Sequence, residues 1–261
     1  MDLPSATQCV HERSRMAFAA AVRAGLAGEF RVFERDGLLV QLTTSPGLGF
    51  LSAVTGLTAD SLAVLPGVLA ECRAGGAPMP AVVIPPADAR AAEDLRRLGF
   101  DLAGQRVLGI MSLATRDAAA PVGQSPGHRI TEAVTAGERQ VYLGTLAAGC
   151  AAAPDLTRFI VAKHADEAVR GFVAWRGSEP AGAAAFWLHQ GVVVMGGAAT
   201  LPAARGAGVH AALLSHRLRQ AMEAGATAAV VTAGAGSVSA RNLARAGFAL
   251  HRGERWLYQL P

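Results

Sequence analysis

Residues 201–214 read LPAARGAGVHAALL. Gly206 and Gly208 stand one residue apart, directly before an apolar-periodic run, which is the pattern of a loop feeding a helix. The first turn of a helix leaves backbone N–H groups without internal partners, at the positive end of its dipole. Glycine lets an anion approach those groups because no Cβ intervenes. The stretch therefore predicts an anion site, and its neighbours must say which anion.

A nucleoside triphosphate loop needs a lysine and a hydroxyl residue after the glycines, where Val209 and His210 stand instead. Gly206–Ala211 does fit the G-x-G-x-x-A pattern of dinucleotide loops. Such a site also needs an acid near the end of the next strand for the ribose, yet no Asp or Glu occurs between Glu223 and Glu254. The segments before the loop also read as antiparallel strands. Phe159–Ala162, Phe172–Trp175, Ala181–Leu188 and Val192–Ala199 are apolar and β-prone, with turn signals at Gly177–Pro180 and His189–Gly191. Gly196 and Gly197 predict a bulge in the last of them.

Beyond the loop, Ala211, Leu214, Leu218, Ala221 and Met222 keep helical spacing over Val209–Ala224, with Arg217, Arg219, Gln220 and Glu223 expected to face elsewhere. Gly225 ends that helix. A strand at Thr227–Thr232, a short helix at Ser239–Ala246 and a last strand at Glu254–Leu260 follow. The order β-β-β-α-β-α-β predicts an α/β (α+β) fold with a mixed, mostly antiparallel sheet flanked by helices.

The chain nearly repeats itself. The shift that places Val82 on Val230 also places Val83 on Val231, Leu95 on Leu243, Arg97 on Arg245, and Gly99-Phe100 on Gly247-Phe248 without a gap. Both runs read as strand, turn, short helix, Gly-Phe and final strand, the glycine suiting a left-handed helix cap. ATRDAAAPVGQSPGH (114–128) has linker composition. The expected organisation is a domain at 1–113, a linker at 114–128 and a second copy at 129–261. The first copy has LTADSL (57–62) where the second has Arg205–His210, so it is expected to lack a phosphate loop.

Leu201–Val209, with its proline three residues before Arg205, resembles the signature of the GNAT superfamily of acetyl-CoA-dependent N-acetyltransferases, Arg/Gln-x-x-Gly-x-Gly/Ala. SVSARNLARAGF (237–248) resembles that family's second landmark, a short helix with an asparagine and a terminal Gly-Phe. The likeness covers about 130–260 well and 1–113 only through the repeat. It implies two tandem acetyltransferase-like copies, the first degenerate, with acetyl-CoA as co-substrate. By that likeness the pantetheine arm lies along the strand ending at Ala198, Ala199 and Thr200. The pyrophosphate rests on N–H groups of Arg205, Gly206, Ala207, Gly208, Val209, His210 and Ala211, and Asn242 touches the cofactor arm. His210 departs from the family's Gly or Ala, either turned into the helix start toward a phosphate or outward as a surface histidine.

Acyl transfer to an amine needs a neutral amine, a polarised thioester carbonyl and a proton for the departing thiolate. The family's tyrosine donor position holds Leu243 here, which has no proton to give. Tyr258 is the nearest tyrosine in sequence, with a partly buried core aromatic as its plain role. His189 and Glu254 are possible bases or solvated residues, and Glu223 is read as structural.

The chain has 261 residues, 51% of them hydrophobic and 17% charged, enough to bury a full core. Its net charge of +4 is nearly all arginine, Lys163 being the single lysine, and forms no run of the kind that marks nucleic-acid or membrane tracts. Cys9, Cys72 and Cys150 lack metal-ligand or disulfide spacing, and Cys150 reads as a buried structural thiol. Met16–Val22 is too short an apolar run to span a bilayer. These features predict a cytoplasmic protein without metal and with no nucleic-acid or membrane partner, and the resemblance implies a small-molecule amine as acceptor. It is expected to be a monomer whose paired copies mimic a dimer, or a homodimer. The alternative is a CoA or acyl-CoA sensor that has lost catalysis.

Overall fold

The computed structural model describes residues 1–58, 60–76, 78–86, 89–114 and 128–258. Nearly all of the linker expected at 114–128 lies outside them. The chain divides into two compact units, an N-terminal one (2–108, 233–240 and 250–261) and a C-terminal one (109–232 and 241–249).

In the N-terminal unit, helix α1 (Leu3–Arg23) starts where the Asp2 carboxylate accepts the Ser5 N–H at 2.9 Å. Strands β1 (Phe30–Arg35) and β2 (Leu38–Thr43) form a hairpin. Its turn is Asp36-Gly37, both at positive φ, as a tight hairpin requires. Strand β3 (Ala53–Thr55), helix α2 (Leu65–Ala74), strand β4 (Ala81–Ile84), helix α3 (Ala89–Arg97) and strand β5 (Phe100–Ser112) follow. LTADSL contributes a short 3-10 turn at Asp60–Val64 that runs into α2 without a glycine.

In the C-terminal unit, strand β6 (Arg129–Glu132) leads to helix α4 (Ala136–Cys150), opened by a Thr135/Glu138 capping box. Helix α5 (Pro154–Ala165) comes next. This corrects the strand expected at Phe159–Ala162. Pro154 and Asp155 start a helix, and Phe159, Ile160 and His164 bury one of its faces, so the short apolar run belongs to a longer helical period. Strands β7 (Val169–Arg176), β8 (Glu179–His189) and β9 (Val192–Thr200) pair antiparallel in sequence order. Helix α6 (Val209–Glu223), strand β10 (Ala228–Gly234), helix α7 (Val238–Arg245) and strand β11 (Ala249–Tyr258) complete the chain.

The repeat is structural as well. β4-α3-β5 and β10-α7-β11 run alike, and Gly99 and Gly247 both follow their helix at positive φ, +89° and +95°. The compact units nevertheless depart from the boundaries expected at 113 and 129. β11 pairs antiparallel with β4, Trp256 opposite Val82, and Trp256 is buried with Leu38, Val40, Leu65, Leu69 and Phe100 in the N-terminal core. The end of the second copy thus completes the core of the first half, where its tryptophan finds an apolar setting.

Candidate functional site

Strands β9 and β10 pair in parallel from Val192/Ala228 to Met195/Val231 and no further. The pairing stops where β9 bulges. Ala185 lies opposite Gly196 and Ala183 opposite Ala199, so β9 carries an extra residue there. Gly197 takes φ +55°, and a Cβ on it would come within 2.3 Å of the His164 ring, so this position accepts only glycine. Past the bulge, Ala198, Ala199 and Thr200 run on without pairing to β10 and lead into the loop.

The loop is built for uncapped donors. Pro202–Ala204 forms a 3-10 turn, and Gly206 and Gly208 follow at φ +79° and +77°, with Gly208 as the N-cap of α6. A glycine cap offers no side-chain acceptor, and the first turn holds no acid. From Gly206 through Ala211, no backbone N–H finds an acceptor among the described residues; Ala212 is the first to bond back, to the Gly208 carbonyl at 3.0 Å. Arg205 stands apart from this set, because its N–H is taken by the Pro202 carbonyl at 3.2 Å. Residues 205–208 are exposed, while Val209 is buried against Gly182 and anchors the helix start.

His210 turns toward α7. The Asn242 amide nitrogen donates to His210 Nδ1 at 3.2 Å, and Arg245 donates to the Asn242 oxygen at 3.4 Å. Asn242 is thus brought to the loop and held there from both ends of its amide. Burial, reinforced by the nearby Arg217 charge, lowers the His210 pKa from the ordinary histidine value to about 4. The ring is neutral at pH 7, in keeping with an Nδ1 that accepts, so it brings no positive charge toward a phosphate.

The unfolded chain binds more protons than the native one between the two pKa values. His210 therefore contributes stability that is full above the unfolded value near 6.5 and is lost as the pH falls toward 4. Partial exposure limits the effect to about 2 kcal/mol. Burial lowers His216 and His11 in the same direction, so the test is a difference. Urea unfolding at pH 7 and 4.5 should show a smaller acid loss for His210→Gln than for the unaltered chain.

Arg217 corrects the expected polar face of α6. It is only 3% exposed and lies inside the unit. Its guanidinium donates to the carbonyls of Leu213 (3.2 Å), Ala185 (2.9 Å) and Gly196 (3.4 Å), the last two being the residues paired at the bulge. Burial lowers its pKa to about 10, leaving it charged at pH 7. On α4 and α5, the Tyr142 hydroxyl and His164 Nδ1 lie 3.0 Å apart in a buried pair, the His164 ring packed on Gly197. The sequence pattern misplaced Arg217 and gave no motif for Tyr142 or His164. The available signal was glycine on the facing strands, since Gly171 leaves room for Tyr142 as Gly197 does for His164.

The expected proton-handling residues lie elsewhere. Leu243 is buried. Tyr258 belongs to the N-terminal unit, edge-on to Phe100 at 5.5 Å, under Arg73 at 5.7 Å and against Gly99, which is the core-aromatic role. Glu254 accepts from the Trp256 indole at 3.2 Å in that same unit. His189 stacks on Trp187 at 4.7 Å and pairs with Val192, at the end of β9 away from the loop. Glu223 accepts from Gln220 at 2.6 Å. Cys150 is half-buried at the end of α4, its pKa raised by burial. Among the described residues no group of His, Cys, Asp or Glu could hold a metal, and no helix is long and apolar enough to cross a membrane.

The acetyltransferase (GNAT) family model matches residues 141–248. No curated protein matches the sequence. Among solved structures, a GCN5-related N-acetyltransferase from Kribbella flavida is similar at 18% identity and TM-score 0.61, over 93% of this chain and 94% of that one. A GCN5-related N-acetyltransferase from Sphaerobacter thermophilus is 14% identical at TM-score 0.64, over 84% of this chain and 76% of that one. A tandem GNAT protein from the clavulanic acid biosynthesis pathway is 14% identical at TM-score 0.58, over 92% and 86%. At such identities these structures speak for the fold alone, and the family model adds the lineage. The chain thus carries, at residues 141–248, a domain that matches the acetyltransferase (GNAT) family.

Proposed function

We propose that the protein is an N-acyltransferase that moves an acetyl group from acetyl-CoA to a primary amine of a small molecule. The observation that carries this is the run of unpartnered N–H groups from Gly206 through Ala211, at the end of a strand that has parted from its parallel neighbour. Backbone donors at a helix start suit a pyrophosphate, and Gly206, with nothing within 4 Å of where its Cβ would be, leaves the approach clear. Arg205 adds an exposed cation beside them. In this reading Ala198, Ala199 and Thr200 hold the pantetheine arm by their backbone, while Asn242 borders the loop.

Bound acetyl-CoA would supply the activated acyl carbon. Ala198, Ala199 and Thr200, the stretch of β9 not paired to β10, would hold it by backbone groups, and backbone donors there would favour the charge that develops on the thioester oxygen. Among the described residues no side chain is assigned to carry the thiolate's proton, and solvent water could supply it. That same point favours a second reading, a domain that binds acyl-CoA as a sensor without turnover, and it rests on Leu243 at the donor position.

Calorimetric titration with acetyl-CoA, followed by thiol release over a panel of small amines, separates the readings. Binding with turnover on any amine supports the transferase. Binding without turnover supports the sensor, and absence of binding overturns both.

A further inference from the structure

His128 immediately precedes β6, far from the loop in sequence, yet its Nε2 lies 2.7 Å from the carbonyl oxygen of Ala207, between the two loop glycines. A carbonyl only accepts, so Nε2 carries the proton. Nδ1 is buried without a hydrogen-bond partner among the described residues. The consequence follows from peptide geometry. In a trans peptide the C=O of one residue and the N–H of the next point in opposite directions. Fixing the Ala207 carbonyl toward His128 therefore fixes the Gly208 N–H toward the other side of the loop. Gly208, at positive φ on one side of this peptide, would otherwise let it flip at low cost, which would present an oxygen where the pyrophosphate reading requires a donor.

We infer that His128 is a positioning residue for cofactor binding, latching the Ala207–Gly208 peptide so that the Gly208 N–H is held as a phosphate donor. The inference rests on the acyl-CoA reading of the same loop. Asn242 and His210 hold the α7 side of the loop start by side chains, whereas His128 is the side chain that grips the loop backbone itself.

The test compares His128→Ala and His128→Gln with the unaltered protein in three measurements. Affinity for CoA should fall about tenfold in His128→Ala, in line with the loss of one hydrogen bond, and recover in part in His128→Gln, whose amide can donate. Affinity for pantetheine, which lacks the pyrophosphate, should stay within about twofold, because the latch acts only on the phosphate end. In the free protein, backbone 15N relaxation at Ala207 and Gly208 should show greater mobility in His128→Ala. Equal CoA affinity in all three proteins, or equal weakening toward CoA and pantetheine, overturns the latch. An unaltered protein that binds no CoA overturns the loop assignment instead, while equal relaxation at Ala207 and Gly208 with and without His128 still overturns the latch.

Discussion

Replacing Arg205 and Gly208 together by glutamate is expected to lower CoA affinity at least a hundredfold while leaving the protein folded. Gly208 sits at φ +77°, where a side chain costs about 1–2 kcal/mol. A Cβ and a carboxylate there would also meet the anion that the loop's N–H groups await. Each charge-assisted hydrogen bond lost is worth about 1.5–3 kcal/mol, and the reversed charge at position 205 adds repulsion. Two such losses alone reach two orders of magnitude. The folding cost stays small because residues 205–208 are exposed. Calorimetry with CoA, read beside a thermal melt, checks both halves. Unchanged affinity would remove the loop from the site, and a collapsed melt would show that it carries more of the fold than its exposure implies.

Arg217→Ala is expected to destabilise the chain by about 3–5 kcal/mol. The substitution leaves the Ala185 and Gly196 carbonyls without their shared donor and opens a void under α6. Arg217→Met restores most of the volume and none of the hydrogen bonds, so its cost should be smaller, about 1–3 kcal/mol. Urea unfolding of the two variants separates cavity from polarity. If Arg217→Met matches the unaltered chain, the guanidinium does not hold the bulge. If it falls while remaining folded, acetyl-CoA binding should weaken with it, because the bulge is where β9 leaves β10.

The features legible in the sequence were those fixed by local chemistry. The glycine pair and the periodic run after it specify a loop and helix α6 within one residue of its observed end. The Gly196-Gly197 doublet marks the bulge, and Gly99 and Gly247 mark the ends of equivalent helices. Phe159–Ala162 misled because four apolar residues fit a buried strand or one face of a helix equally well, and Pro154 upstream settles the matter. Arg217 misled for another reason. Arginine is expected at the surface, and only the packing of α6 over the β8/β9 bulge gives a buried guanidinium its carbonyl partners.

The sequence by itself determined that a glycine loop opens a helix, that the chain carries a repeated strand-helix-strand end, and that the first such stretch lacks the loop's glycines. Each of these is written in neighbouring residues and the periods they keep. Only the tertiary structure decided where the side chains converge. It brings His128 to Ala207, Asn242 to His210 and Arg217 to the bulge, and it sends Tyr258 into the other unit's core. Those pairings join residues tens of positions apart, and hydrogen bonds and burial are satisfied by position in space, which no local pattern encodes.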